Sequence, residues 1–240
     1  MFVRYKLMFK IIRGKKENFY NLKYLFYSLL LQKIASFDKE LARKIHDNEN
    51  EYKRAFLFSN FIFTKKRVFS VYFATTKKEI EQILFKILQT PLFFNEDKTI
   101  VFELSTIYRQ QIEIDKINML NFLSPIVIRT KDGKSKITEN KESYNKLIEQ
   151  EVIRTINSVS SKVGVELEDY SIRVDGTFRK KIFVFQNSKN QKVQIHALEA
   201  IDPKANISFE GDSNAKVIAY LYGVGDRTNL GFGMLGVLTK

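Results

Sequence analysis

Few side chains in this 240-residue chain can exchange a proton near neutral pH. It has two histidines, His46 and His196, and no cysteine. Imidazole is the ordinary side chain that titrates between pH 5 and 8, so either ring has the chemistry of a general acid or base. The absence of cysteine removes thiolate nucleophiles, disulfides and thiolate metal sites. Two histidines alone weigh against a zinc centre. His46 precedes the polar run Asp47-Asn48-Glu49-Asn50, which predicts an exposed ring. The plain alternative is a helix-end histidine interacting with the C-terminal dipole.

The second group with chemical potential is a glycine cluster. Five of the ten glycines (Gly223, Gly225, Gly231, Gly233, Gly236) fall within one short segment, and Arg227, Thr228 and Asn229 lie inside it. Glycine lets backbone or ligand approach closely, and its amides can turn toward an anion. Together with a guanidinium and a hydroxyl, this suggests phosphate as the ligand. The nucleotide P-loop is excluded, since no Gly-Lys-Ser/Thr occurs. The dinucleotide fingerprint also fails, because it must open a helix within a βαβ unit. The plain alternative is a glycine-rich turn into a final strand, Phe232 to Leu238.

Composition sets the partners. Forty Lys and Arg against 27 acidic residues give a net charge of +13. Such an excess attracts polyanions, nucleic acid first and an anionic membrane surface second. A hydrophobic content of 44%, with 21 Phe and 11 Tyr, supports a substantial core. No apolar run approaches the roughly 18 residues of a membrane span. The opening residues alternate apolar and basic, unlike a signal peptide, so a cytoplasmic location is expected.

These residues must be held by elements readable from periodicity. Phe2 to Ile12 alternates as a strand. Glu17 to Ile34 is an apolar helix, and Phe37 to Asp47 continues helically after a Ser36 or Asp38 cap. Tyr52 to Phe63 and Arg67 to Ala74 read as a hairpin. Lys77 to Gln89 is a helix and Thr99 to Ile107 a strand. The order β-α-β-β-α-β is ferredoxin-like. The second half repeats it less clearly. Pro125 to Thr130 is a strand, followed by a polar turn, Lys131 to Lys136. Glu142 to Val163 is a helix. Tyr170 to Val174, Lys181 to Gln186, Lys192 to Ala200 and Ile207 to Phe209 are strands. Asn214 to Tyr222 is a helix, and the closing strand follows. The expected fold is α+β, with tandem ferredoxin-like (RRM-like) βαββαβ domains spanning 1–118 and 119–240.

Four segments carry a resemblance over nearly the whole chain: Leu41 to Asp47 with its Ile-His-Asp, Lys53 to Ser59, Ser124-Pro125, and Gly223 to Gly233 with the form Gly-x-Gly-x5-Gly-Phe-Gly. Together with tandem ferredoxin-like halves, the chain resembles the CRISPR-associated repeat-processing endoribonucleases of the repeat-associated mysterious protein superfamily. The resemblance implies metal-independent cutting of precursor RNA within CRISPR repeats, with no cofactor. The substrate 2′-hydroxyl attacks the adjacent phosphorus, leaving a 2′,3′-cyclic phosphate and a 5′-hydroxyl. That chemistry needs a base, an acid and a stabiliser of the charged phosphorane.

The resemblance makes His46 the proton-transfer residue and Lys53 the phosphorane stabiliser, with Arg54 the rival for that role and an RNA contact. Lys53 and Arg54 are expected at the start of a strand, so only one would face the site. A tyrosine on the first helix often completes the set. Tyr20, Tyr24 and Tyr27 share one helix face, which is equally the spacing of a core stripe, and Tyr27 is chosen as nearest His46 in sequence. Gly223, Gly225, Arg227, Thr228, Asn229, Gly231 and Gly233 are expected to bind RNA phosphate. Arg173, Arg179, Lys180 and Lys181 form a second cationic group, for which solvated charges on a turn are the alternative. His196 reads as structural or RNA-facing. The implied partners are CRISPR repeat RNA and subunits of an effector complex, with the protein a monomer or homodimer and no membrane involved. Two alternatives stay open: a non-catalytic RNA-binding subunit of a CRISPR ribonucleoprotein, and an RNA-binding protein unrelated to CRISPR.

Overall fold

The computed structural model describes residues 2–14, 22–47, 49–65, 67–95, 97–128, 144–186 and 191–237. Tyr20 and the expected turn Lys131 to Lys136 lie outside these residues. The chain divides into two compact units, Val3–Gln111 and Ile112 onward; the periodicity had set the joint at 118/119.

The N-terminal unit contains β1 (Phe2–Arg13), α1 (Leu22–Phe37), α2 (Lys39–His46), β2 (Phe56–Phe58), β3 (Ile62–Lys65), β4 (Val68–Thr75), α3 (Lys78–Ile87), β5 (Leu92–Phe94) and β6 (Val101–Ile112). The sheet order is β2-β4-β1-β6-β5, with β3 also paired to β4. With β2 and β3 as two pieces of one strand, this is the βαββαβ arrangement carrying an extra edge strand, β5. Alternation puts Tyr5, Leu7, Phe9 and Ile11 of β1 on one buried face. Phe9 stacks on Phe69 at 5.0 Å and meets Phe26 and Phe102 edge-on at 5.6 and 5.4 Å. Each such buried ring stabilises the unit by roughly 1.5–3 kcal/mol. The α2 helix starts where Asp38 Oδ1 accepts the Leu41 amide at 2.9 Å. Leu41, Ala42 and Ile45 turn into the core, which leaves the opposite face of α2 for charge.

The C-terminal unit contains β7 (Met119–Phe122), α4 (Tyr144–Val163), β8 (Tyr170–Asp175), β9 (Phe178–Gln186), β10 (Lys192–Ala200), β11 (Asn206–Gly211), α5 (Ser213–Tyr222) and β12 (Leu235–Gly236). Its main sheet runs β12-β7-β11-β8, while β9 and β10 pair as a separate two-stranded sheet. Without that hairpin the order is again βαββαβ, so the tandem ferredoxin-like architecture holds. Ile148, Val152 and Ile156 of α4 pack with Leu120 of β7, Ile207 of β11 and Ile218 of α5 in one cluster.

Several elements differ from expectation. The first strand of the second repeat is Met119–Phe122; of the expected Pro125 to Thr130, residues 125–128 form no named strand and the last two lie outside the described residues. Ile126 and Val127 make only isolated bridges, to Leu198 and Asp226. Met119–Phe122 is too short for alternation to register, and of it only Leu120 is fully buried. The closing strand shrinks to Leu235–Gly236, because the preceding residues are bound into the glycine loop. The expected strand from Tyr52 is interrupted: Asn50–Tyr52 form a 3-10 turn, and Ala55 N–H donates to Tyr52 O at 3.1 Å before β2 begins. Lys53 and Arg54 therefore lie on a turn, and strand alternation does not decide between them.

Candidate nucleic-acid interface

In the N-terminal unit, α2 delivers His46 at its last position. The last turn also carries Arg43 and Lys44, favourable charges for a helix C-terminus. The His46 side chain is 70% exposed, and Nδ1 lies 3.1 Å from Asp47 Oδ1. Asp47 ends the helix by donating its backbone N–H to Arg43 O at 2.8 Å. Its carboxyl is held below the usual carboxylate range, first by the His46 hydrogen bond and then by Arg43. Arg43 also bonds Glu40 at 2.9 Å and Glu49 at 3.1 Å. The imidazole is thus paired with a carboxylate that the His46 hydrogen bond itself, and then Arg43, hold ionised.

Lys53 is exposed on the following turn and has no ion-pair partner among the described residues. Arg54 beside it is half-buried. Tyr27 is half-buried against the core, with its ring 6.0 Å from Phe56. Burial, and secondarily Tyr24, push its phenol up to about 12. The spacing of the tyrosines on α1 therefore includes a packing role for Tyr27.

In the C-terminal unit, the glycine loop is built from close backbone approaches. Gly225, Gly231 and Gly233 have φ of 78°, 81° and 67°, and so does the non-glycine Arg227 at 57°. A Cβ on Gly225 would come within 2.5 Å of Val127 O, and one on Gly233 would overlap Val224 O. Several amides of the segment, those of Gly225 and Gly233 among them, are spent on internal partners. Val224 N–H donates to Gly233 O (2.8 Å), Gly233 N–H to Pro125 O (2.7 Å) and Asp226 N–H to Val127 O (2.9 Å). Gly225 N–H donates to Thr155 Oγ1 (3.0 Å) and Met234 N–H to Ser124 Oγ (2.8 Å). These inward bonds tie the loop to its own unit and explain why Ser124-Pro125 accompanies the motif. Thr228 and Asn229 are buried, at 3% and 5% exposed. Arg227 is the loop residue that projects a cation, with its side chain 53% exposed.

Arg173 lies exposed on β8. Arg179, Lys180 and Lys181 are in β9, opposite Glu199, Leu198 and Ala197 of β10. They stand within a strand rather than on a turn. Glu199 binds two of them: Arg179 Nη2 and Lys181 Nζ each lie 2.6 Å from its carboxylate. Burial alone would raise that carboxyl, but hydrogen bonds from Lys181 and Arg179 outweigh burial and hold it low. His196 pairs with Ile182, and its buried Nδ1 has no hydrogen-bond partner among the described residues. The β9–β10 hairpin packs on the loop through Phe183, whose ring is 5.1 Å from Phe232.

The two units differ in charge. Val3–Gln111 has 21 Lys and Arg against 11 acids, and Ile112 onward has 19 against 16. Most of the excess therefore belongs to the N-terminal unit. Sequence reasoning missed Glu199 as the acid between Arg179 and Lys181, since that needs the hairpin register. It also missed Glu151 and Arg154 of α4, whose i,i+3 spacing was the available signal. Among the described residues no group of three or more His, Asp or Glu side chains converges as for a metal. No helix among them is long and apolar enough to cross a membrane.

No curated protein matches the chain. Solved structures do. A Cas6-related protein from Pyrococcus furiosus is 20% identical, with TM-score 0.71 over 100% of both chains. A RAMP protein described as binding different RNA substrates is 19% identical, with TM-score 0.71 over 99% of this chain and 100% of that one. A Thermus thermophilus Cas6 product complex is 15% identical, with TM-score 0.56 over 99% of this chain and 100% of that one. At these identities the likeness is one of fold. Residues 108–237 match the family model described as CRISPR-associated protein Cas6, C-terminal. That match covers more than half of the sequence, and the chain belongs to the Cas6 family of CRISPR-associated proteins.

Proposed function

We propose that the protein is a metal-independent endoribonuclease that cuts CRISPR precursor RNA within its repeats. The observation that carries this reading is His46, exposed at the end of α2 with its Nδ1 3.1 Å from an ionised Asp47, in a chain of the Cas6 family. In the mechanism, His46 Nε2 takes the proton of the substrate 2′-hydroxyl as that oxygen attacks the neighbouring phosphorus. The P–O5′ bond breaks, leaving a 2′,3′-cyclic phosphate, and a proton is delivered to the 5′-oxygen. Lys53 neutralises charge on the phosphorane. Arg227, Arg173 and the cations of β9 hold the backbone of the repeat RNA, and base contacts select the sequence.

A second reading, RNA binding without cutting, draws support from Tyr27, whose ring packs on Phe56 and leaves the acid role without an exposed tyrosine at that position. One assay separates the two. End-labelled repeat RNA is incubated with the protein in excess EDTA, beside a copy carrying a 2′-deoxy sugar at the cut site. The nuclease reading expects a single cut that survives EDTA and vanishes with the 2′-deoxy sugar. Tight binding with no cut refutes it and leaves the binding subunit.

A further inference from the structure

Beside the glycine loop lies a guanidinium that neither the loop motif nor the cationic hairpin includes. Arg154 of α4 immediately precedes Thr155, whose hydroxyl accepts the Gly225 amide at 3.0 Å. The helix is therefore fixed to the loop at this point. Arg154 Nε donates to Glu151 Oε2 at 3.0 Å, and Nη2 donates to Oε1 at 2.5 Å. The Glu151 side chain is 3% exposed, whereas that of Arg154 is 52% exposed. One edge of the guanidinium is thus seated on a sunken carboxylate. Of its five N–H groups, the three not used on Glu151 point away from that carboxylate.

Asp226, next to Gly225, joins the two arginines. It lies close enough to Arg154 to add to the rise in that group's pKa, after the larger contribution of Glu151. Its Oδ2 is 3.6 Å from Arg227 Nε. Asp226 therefore sits beside the Arg227 guanidinium at the rim of the loop, within electrostatic reach of Arg154. A phosphodiester has two non-bridging oxygens that match a guanidinium fork better than one carboxylate oxygen does. An arginine already locked by a buried acid also loses less side-chain entropy on binding.

The geometry points to Arg154 and Arg227 as two halves of one phosphodiester-binding subsite for RNA, with Glu151 as the positioning residue for Arg154. This rests on the RNA-binding reading above and deepens it. An RNA phosphate would compete with Asp226 for the charge of Arg227.

The test is binding of the full-length protein to repeat RNA, followed by fluorescence anisotropy across a salt series. Arg154→Ala should weaken binding about 5- to 20-fold and reduce the slope of log K against log salt by ~0.7, the loss of one single-strand phosphate contact. Lys162→Ala, at the far end of the same helix, should change affinity less than about two-fold, as a contact-free surface charge does. A scan of single methylphosphonate linkages should reveal one position that weakens the wild type and adds nothing to the Arg154→Ala loss. Because Arg154→Ala removes a charged partner of the buried Glu151, a Glu151→Gln/Arg154→Gln protein with a native melting curve is measured beside it and should show the same loss. Wild-type affinity and salt slope in a folded Arg154 variant overturn the inference alone. Failure of the wild type to bind repeat RNA overturns the functional reading as well.

Discussion

Replacing Gly233 with alanine tests whether the glycine loop is a rigid internal scaffold. Gly233 has φ of 67°, where an L-residue costs roughly 1–2 kcal/mol. The new methyl would overlap the Val224 carbonyl oxygen, so the loop must shift. That movement breaks Val224 N–H to Gly233 O at 2.8 Å and Gly233 N–H to Pro125 O at 2.7 Å, each worth about 0.5–1.5 kcal/mol. The total is roughly 2–5 kcal/mol. Gly164 supplies the control: its φ is 69°, yet nothing lies within 4 Å of an added Cβ. Gly164→Ala should lose only the backbone penalty of roughly 1–2 kcal/mol. At about 4 °C per kcal/mol for a unit of this size, Gly233→Ala should melt roughly 4–12 °C below Gly164→Ala. Circular dichroism gives the melting temperatures, and hydrogen exchange over the glycine segment shows whether the change is local. If the two variants melt together, close packing does not fix the loop and the reasoning fails.

Three further outcomes are expected. His46→Ala should cut the cleavage rate by about 100-fold or more while repeat-RNA affinity stays within about two-fold; a rate near wild type removes His46 from the chemistry. Tyr27 has a folded pKa raised from 10.0 to about 12, so its contribution to stability is complete below pH 10 and is lost as pH rises through 12. Tyr27→Phe should therefore lose less stability than wild type between pH 10 and 12 in urea titrations, and an identical decline in both proteins would contradict the burial argument. Glu199→Gln releases Arg179 and Lys181 from their shared carboxylate, so RNA affinity should rise about two- to five-fold with a steeper salt dependence; unchanged binding would mean that β9 does not touch RNA.

The long elements were legible because periodicity is a local signal. The α3 residues Ile80, Ile83, Leu84 and Ile87 are buried as their spacing requires, and Asp38 caps α2 through its side chain. Short strands were not legible. Leu92–Phe94 and Met119–Phe122 are held by their partners in the sheet, and three or four residues carry no usable alternation. The glycine cluster was legible as a built loop, but its polarity was not. Whether an amide points to a ligand or to Pro125 O depends on residues about a hundred positions away. The charge of the hairpin was readable in Arg179, Lys180 and Lys181, while its neutralisation by Glu199 needed the antiparallel register.

The order in which the second sheet closes has a consequence for synthesis. The N-terminal unit is one continuous stretch, Val3–Gln111, and can condense while the chain is still being made. The C-terminal sheet receives its edge strand only with Leu235–Gly236, which pair with Phe122 and Asn121. Gly233 and Met234 must also arrive before Pro125 and Ser124 find their partners. At about 5–20 residues per second, the ribosome separates these events by roughly 6–25 s. During that interval the basic N-terminal unit is folded beside a half-built neighbour. The loop that presents Arg227 closes only once Gly233 to Gly236 have been made, well after every residue of the N-terminal unit has left the ribosome.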